Sequence, residues 1–229
     1  MEINILDNQQ LLRMLFNEQQ KEQGFRLLMQ KYGNKIYWHI RRIVVGREDA
    51  EDVVQETLIK IFSNISEFHG DAAQLPAWMY RIATREALQM LRRKTSFFQS
   101  IDSLSNTLID TLKAECDIGD SSERLLQEAI LTLPTTQRLV FNMRYYDDMD
   151  YEQIATVTGK KVGTLKTNYH YASEHIKQYI KENPDEAVIS GCGYENGCSD
   201  RACRQRQYQA YRKAESCSRP YQNDRRNFR

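Results

Sequence analysis

The chain carries almost no net charge: 32 Lys and Arg against 31 Asp and Glu leave +1 over 229 residues. It is therefore not a generally basic nucleic-acid coat, and any DNA affinity must come from local patches or from a partner. No apolar run approaches the ~18 residues of a membrane span, and Met1 is followed by acidic and amide residues rather than by a signal peptide. A cytoplasmic protein with no direct membrane insertion is expected. Cysteine is missing from the stretches that read as folded. Cys116 lies in a linker and Cys192, Cys198, Cys203 and Cys217 lie in the tail, so no disulfide framework supports the fold. Alternating strand patterns are absent, as are a P-loop, a GxGxxG and any nucleophile–base pattern. His39, His69, His170 and His175 are scattered, and His170 and His175 are too far apart in the helical period to share a face. No catalytic residue, metal or other cofactor is expected, and an enzyme is excluded on this pattern.

The last forty residues lack a further ingredient. From Ser190 to Arg229 there is no Leu, Ile, Val or Met, so the segment cannot bury enough aliphatic surface to offset the entropy of ordering it. Its cysteines are separated by gaps of five, four and thirteen residues with no histidine nearby, whereas zinc ligands usually pair two to four residues apart. A disordered tail is expected over 183–229. The charge divides at the same boundary: residues 1–182 carry 23 basic against 25 acidic side chains, and 183–229 carry 9 against 6.

What is present is helical periodicity. Phe25, Leu28, Met29, Tyr32, Ile36, Ile40, Ile43 and Val44 recur at three- and four-residue steps until Gly46-Arg47-Glu48 breaks the run. A second periodic helix carries Ala50, Val53, Val54, Thr57, Leu58, Ile61, Phe62 and Ile65. His69, Gly70, Asp71 and Pro76 mark a loop, with Pro76 suited to a first helical turn. The next helix buries Trp78, Met79, Ile82, Ala83, Ala87, Met90 and Leu91. Residues 95–121 are rich in Ser, Asp and Thr, and set Asp102, Asp110, Glu115, Asp117 and Asp120 against Lys113 alone. They read as a flexible acidic linker. Helical pattern resumes at Ser122, breaks near Leu133-Pro134 and ends near Glu182. The expected fold is all-α, with two small helical domains, 1–94 and 122–182, joined by the linker 95–121.

Residues 150–172 are the most informative stretch. With Tyr151 as the first position of a helix-turn-helix, Ala155 is the fifth, Gly159 the ninth and Leu165 the fifteenth. A small residue admits the second helix, a glycine supplies the φ > 0 turn, and an aliphatic fills the crossing point. Asp150 and Gln153 form a capping-box pattern. Val162, Leu165, Tyr169 and Ala172 then face inward, while Thr164, Lys166, Thr167, Asn168, His170 and Tyr171 face outward, as a major-groove reader requires.

Two further faces stand out in the first domain. Glu51, Asp52, Gln55 and Glu56 begin the outer face of the second helix. The helix dipole explains acids in the first turn but not Gln55 and Glu56, and a docking surface for a basic partner explains all of them; the residues alone leave the two readings even. On the helix after Pro76, Arg81, Arg85 and Arg92 fall within about 40° of one another at ~3.6 residues per turn. Leu88 and Gln89 lie between them, Tyr80 and Thr84 lie at the edge, and Arg93 and Lys94 extend the charge. Cations interleaved with planar and polar groups suit a nucleic-acid strand; the bland alternative is a solvated basic face.

Taken together, DAEDVVQET at 49–57, PAWMYRIATREALQMLRR at 76–93 and the 150–172 segment resemble the extracytoplasmic-function (ECF) subgroup of bacterial sigma-70-type sigma factors. The resemblance covers about residues 20–182. It implies a factor that binds core RNA polymerase and directs promoter recognition and melting. It further implies docking of Asp49, Glu51, Asp52, Gln55 and Glu56 on a coiled coil of the β′ subunit. Reading of the −10 promoter element would fall to Trp78, Tyr80, Arg81, Thr84, Arg85, Leu88, Arg92 and Arg93, with a base flipped from the non-template strand. Reading of the −35 element would fall to Thr164, Lys166, Thr167, Asn168, His170 and Tyr171. The acidic linker would thread toward the polymerase active site, and a sequestering anti-sigma factor is implied as a further partner. This chain departs from the family pattern in Arg85, often Asn, in Gln89, often Asp, and in Asn168 and Tyr171, where arginines are common. Cysteine-containing extensions in some members sense metals or redox state, which keeps that role open for the tail. A stand-alone DNA-binding regulator and a helical adaptor are the competing classes; neither has a use for the 49–57 surface together with the basic helix.

Overall fold

The computed structural model describes residues 7–95, 106–112 and 121–183. The expected disordered tail, the ends of the linker and all five cysteines lie outside the described residues. Every regular element among the described residues is helical.

Four helices build the first half: α1 (Asn8–Phe16), α2 (Lys21–Val44), α3 (Arg47–Asn64) and α4 (Leu75–Thr95). The three- and four-residue spacing puts Leu28, Tyr32, Ile36, Ile40 and Ile43 of α2 on one buried stripe. Against it pack Ala50, Val53 and Ile61 of α3 and Met79, Ala83, Ala87 and Leu91 of α4. A short α1, unremarked in the sequence pattern, adds Leu11, Leu12 and Leu15. Its approach to α2 is close enough that a Cβ on Gly24 would sit 2.9 Å from Met14 Cβ. The break between α2 and α3 falls on Val45, whose φ of 67° is an unusual conformation for a β-branched residue. Pro76 sits in the first turn of α4, as expected.

Four helices form the second half: α6 (Ser121–Leu131), α7 (Thr135–Tyr145), α8 (Tyr151–Thr158) and α9 (Val162–Glu182). Leu126, Ala129, Ile130, Leu133, Phe141, Ala172 and Ile176 make a core of their own. The helix begins at Ser121, one residue before the point at which the sequence pattern resumes.

Two features differ from the sequence expectation. The stretch read as linker contains a helix, α5 (106–112), whose Leu108 and Leu112 are buried. Asp110 and Thr111, set in a Ser-, Asp- and Thr-rich stretch, hide a four-residue leucine spacing, enough for two turns once a core receives it. The two helical sets are also packed together. Leu139, Val140, Met143, Ile154, Val157 and Leu165 belong to the same apolar cluster as the α2 and α4 stripes.

Candidate nucleic-acid interface

The helix-turn-helix forms as its residue types dictate. The Asp150 side chain accepts from the Gln153 amide at 2.7 Å, and Gln153 Oε1 accepts from the Asp150 amide at 2.9 Å, completing the capping box. Gly159 closes α8 in the left-handed region at φ 71°, its N–H bonded to the Ala155 carbonyl. Leu165 and Ala172 are fully buried and Tyr169 stacks on Phe141, so α9 is anchored along one side. Its opposite side exposes Thr164, Lys166, Thr167, His170 and Tyr171, with Asn168 half-buried. Tyr171 is 58% exposed, an aromatic with no role in the core. Beyond these, Lys177 holds the exposed Glu174 carboxyl below its usual value, chiefly through a hydrogen bond.

On α3, Asp52, Gln55 and Glu56 are exposed and make no ion pair among the described residues. Asp49 and Glu51 are half-buried; Asp49 is ion-paired with Lys94 of α4, and Glu51 with Arg47 at 3.0 Å. The acidic face is thus split between residues that brace the domain and residues free to meet a partner.

The α4 candidates divide similarly. Arg81, Arg85, Arg92 and Arg93 are exposed. Arg81, Thr84, Arg85 and Leu88 line one cleft of about 190 Å³, faced by Val157 and Lys160 from the helix-turn-helix. Trp78 is half-buried against Phe68, ring centroids 5.3 Å apart, and Tyr80 is buried edge-on to His39 at 4.9 Å. Thr84, placed by the helical wheel at the edge of the basic face, is only 4% exposed. Its hydroxyl sits 2.9 Å from His39 Nε2. Trp78, Tyr80, Arg92 and Arg93 therefore do not join the cleft that Arg81, Thr84, Arg85 and Leu88 line.

Sequence pattern gave no hint of a buried polar cluster behind this face. Asp147, in the turn between α7 and α8, lies 2.6 Å from His39 Nδ1 and accepts from Arg42 at 3.0 Å; the three side chains are 4%, 1% and 9% exposed. The Arg42 guanidinium also covers the Tyr146 ring at 4.4 Å. His39 is one of the scattered histidines, and only tertiary packing over 108 residues gives it a partner. Lys160 was equally missed, although its position beside the turn glycine was a visible cue.

Nearby, Arg138 on α7 is 4% exposed and packs among Ile43, Leu88 and Leu139. Burial pushes its guanidinium down to about 10, so it remains a cation at neutral pH. It makes no ion pair among the described residues. Asn142, lining the same spot, leaves both side-chain polar atoms unbonded.

Among the described residues no group of three or more His, Cys, Asp or Glu is arranged to hold a metal, and no helix is long and apolar enough to cross a membrane.

Residues 28–97 match the family model described as Sigma-70 region 2, and residues 123–176 that described as Sigma-70, region 4. The chain is 31% identical over 173 residues to the RNA polymerase sigma-H factor of Pseudomonas aeruginosa, covering 70% of this chain and 88% of that protein. It is 29% identical over 174 residues to the ECF RNA polymerase sigma-E factor of Haemophilus influenzae, covering 72% and 91%. Among solved structures, CnrH in complex with the cytosolic domain of CnrY superposes with a TM-score of 0.57 at 17% identity, over 78% of this chain and 99% of that one. The sigma factor RpoE of Bartonella quintana, solved with the anti-sigma factor NepR, gives 0.55 at 18%, over 69% and 98%. Both likenesses concern the fold.

Proposed function

This chain belongs to the extracytoplasmic-function subgroup of sigma-70-type RNA polymerase sigma factors, and from that premise we propose how its faces divide the work of initiating transcription. The exposed part of the α3 face, Asp52, Gln55 and Glu56, docks on the β′ coiled coil of core polymerase, with Asp49 and Glu51 shaping its edge. The α4 face reads the −10 element: Arg81, Arg85, Arg92 and Arg93 hold phosphates, and Thr84 and Leu88 meet a base drawn from the non-template strand. Trp78 and Tyr80 support that helix from behind. The outward face of α9 reads the −35 element as duplex, with Thr164, Lys166, Thr167, Asn168, His170 and Tyr171 in the major groove.

The chain acts beside core polymerase in the cytoplasm, and bond-making stays with the polymerase. The observation that carries this division is the coexistence of an exposed acidic strip on α3 with an exposed basic face on α4 and an exposed polar face on α9. A self-sufficient DNA binder has no use for that strip. The near-neutral charge of the whole chain also predicts weak DNA binding until polymerase contributes. A sequestering anti-sigma factor is a further proposed partner.

Run-off transcription with purified core polymerase on fragmented genomic DNA, with and without the protein, tests the proposal. New discrete start sites sharing two upstream elements are expected. No new starts, together with site-specific binding by the protein alone, would replace it with a stand-alone regulator.

A further inference from the structure

The cleft of about 190 Å³ beside α4 has cations and hydroxyls among its lining residues and no acid. Arg81 and Arg85 enter it from α4, Lys160 from the turn after α8, and Thr135 and Thr136 from the start of α7. Arg81, Arg85 and Lys160 make no ion pair among the described residues. Their charges therefore add instead of cancelling against carboxylates. Leu88, Leu139, Val140 and Val157 supply apolar walls, and a cleft of one charge sign with low-dielectric walls concentrates its field on whatever enters.

The start of α7 has the same sign. Pro134 holds its N-cap position, no side chain caps it, and its first turn contains no acid. The first amides of α7 are left to outside acceptors, and the helix dipole places positive charge around them. Neither the Thr135 nor the Thr136 hydroxyl has a partner among the described residues. One turn further on, Arg138 is 4% exposed and without an ion pair, in a crevice that shares Leu88, Thr135 and Leu139 with the cleft. A buried cation without a counterion is costly, and an anion beside it offsets that cost. The cavity, the exposed cations around it and the unpaired buried guanidinium are separate observations that ask for one thing.

We propose that this cleft is a binding site for a phosphate group, free or carried on a small molecule. The planar forks of Arg81 and Arg85 suit phosphate oxygens in pairs, and Lys160 adds a point charge. The Thr135 and Thr136 hydroxyls and the first α7 amides complete the donor set. The volume lies below the ~300 Å³ at which ordinary ligand pockets begin. It therefore takes the phosphoryl end of a ligand, with any remainder extending past the exposed Gly159 and Lys160 into solvent. The site does not rest on the −10 assignment. Its consequence does: Arg81 and Arg85 then answer to a small phosphate as well as to promoter DNA, and the two ligands compete.

Isothermal calorimetry and thermal melting of the full-length protein test the site, with sodium phosphate, sodium pyrophosphate and adenosine 5′-monophosphate as probes at constant ionic strength. Phosphate and pyrophosphate are expected to bind with single-site stoichiometry and to raise the melting temperature where sodium chloride does not. Lys160→Gln is expected to weaken binding about tenfold, as loss of one charge-assisted hydrogen bond does. Lys161→Gln removes the same charge from the neighbouring residue, outside the cleft, and is expected to bind as wild type does. Thr135→Asp puts an acid at the start of α7, where it favours the helix and repels phosphate. Its binding should fall about tenfold or more with no loss of melting temperature, a combination that misfolding cannot produce. Tighter binding of adenosine 5′-monophosphate than of free phosphate assigns the site to a phosphorylated molecule, and the reverse order assigns it to the free ion; both uphold it. Absence of binding by every probe to the wild type overturns the site. Equal weakening by Lys160→Gln and Lys161→Gln also overturns it, as diffuse attraction to a basic surface.

Discussion

Asp49, the first acid of the α3 face, is ion-paired with Lys94, the last basic residue of the α4 face. The two surfaces proposed for polymerase and for −10 DNA are therefore mechanically joined at one end, and the acids further along α3 are the ones left for a partner. The exposure of Lys94, 42%, and of Asp49, 21%, limits this bridge; such pairs contribute about 0–1 kcal/mol.

Charge reversal at Asp52 and Glu56 separates docking from folding. The double Lys variant should melt close to wild type, because exposed substitutions usually stay within about ±0.5 kcal/mol, yet it should no longer co-elute with core polymerase. Normal co-elution of the folded variant would remove the docking assignment.

On α9, the kind of contact predicts the kind of defect. Lys166→Ala should weaken binding across promoter sequences and flatten the salt dependence, as loss of a phosphate contact does. Changes at Asn168 or His170 should alter base preference, each at about 1–3 kcal/mol for the affected base pair. A promoter-library readout that moves for neither class would unseat α9 as the reading helix.

The turn of the helix-turn-helix depends on backbone conformation more than on space. A Cβ on Gly159 would meet nothing within 4 Å, but φ is 71°. Gly159→Ala should therefore cost about 1–2 kcal/mol from the left-handed conformation alone, with Gly159→Asn milder. Asp150→Ala, which removes the cap, should cost about 0.5–2 kcal/mol. Chemical denaturation of the three variants checks the ranking.

Arg138→Met should raise stability at neutral pH, since replacing poorly compensated buried charge with apolar packing often gains about 1–4 kcal/mol. The sign with pH follows from the lowered guanidinium: above about 10 the folded chain releases this proton before the unfolded chain does. Wild-type stability thus recovers part of the penalty only as pH rises past that value, and none of it between pH 6 and 8. A wild type more stable than Arg138→Met at pH 7 would show that Arg138 is paired in solution.

Helix existence and the inward faces were legible because they follow from local spacing: Ile36, Ile40 and Ile43 on α2, or Leu165 and Ala172 on α9, announce themselves by period alone. The capping box and Gly159 were legible because their chemistry lies within a few residues. Leu108 and Leu112 were obscured by polar neighbours, and the short α1 by the absence of a long repeat. The Asp147–His39–Thr84 chain was invisible for a different reason: its members come from three distant segments and acquire meaning only when the α7–α8 turn, α2 and α4 meet. Thr84 shows the limit of a helical wheel, which gives direction around one axis but not what lies opposite.

Thr84 also carries an evolutionary consequence. One hydroxyl meets His39 within the first helical set and, on the proposed assignment, a promoter base. A substitution selected there for a new promoter would also disturb the buried contact behind α4, and one selected to strengthen that contact would alter which genes the factor serves. Drift in target choice and drift in how firmly α4 is held against α2 are tied at this position, so the regulon and the firmness of the reading helix would evolve together.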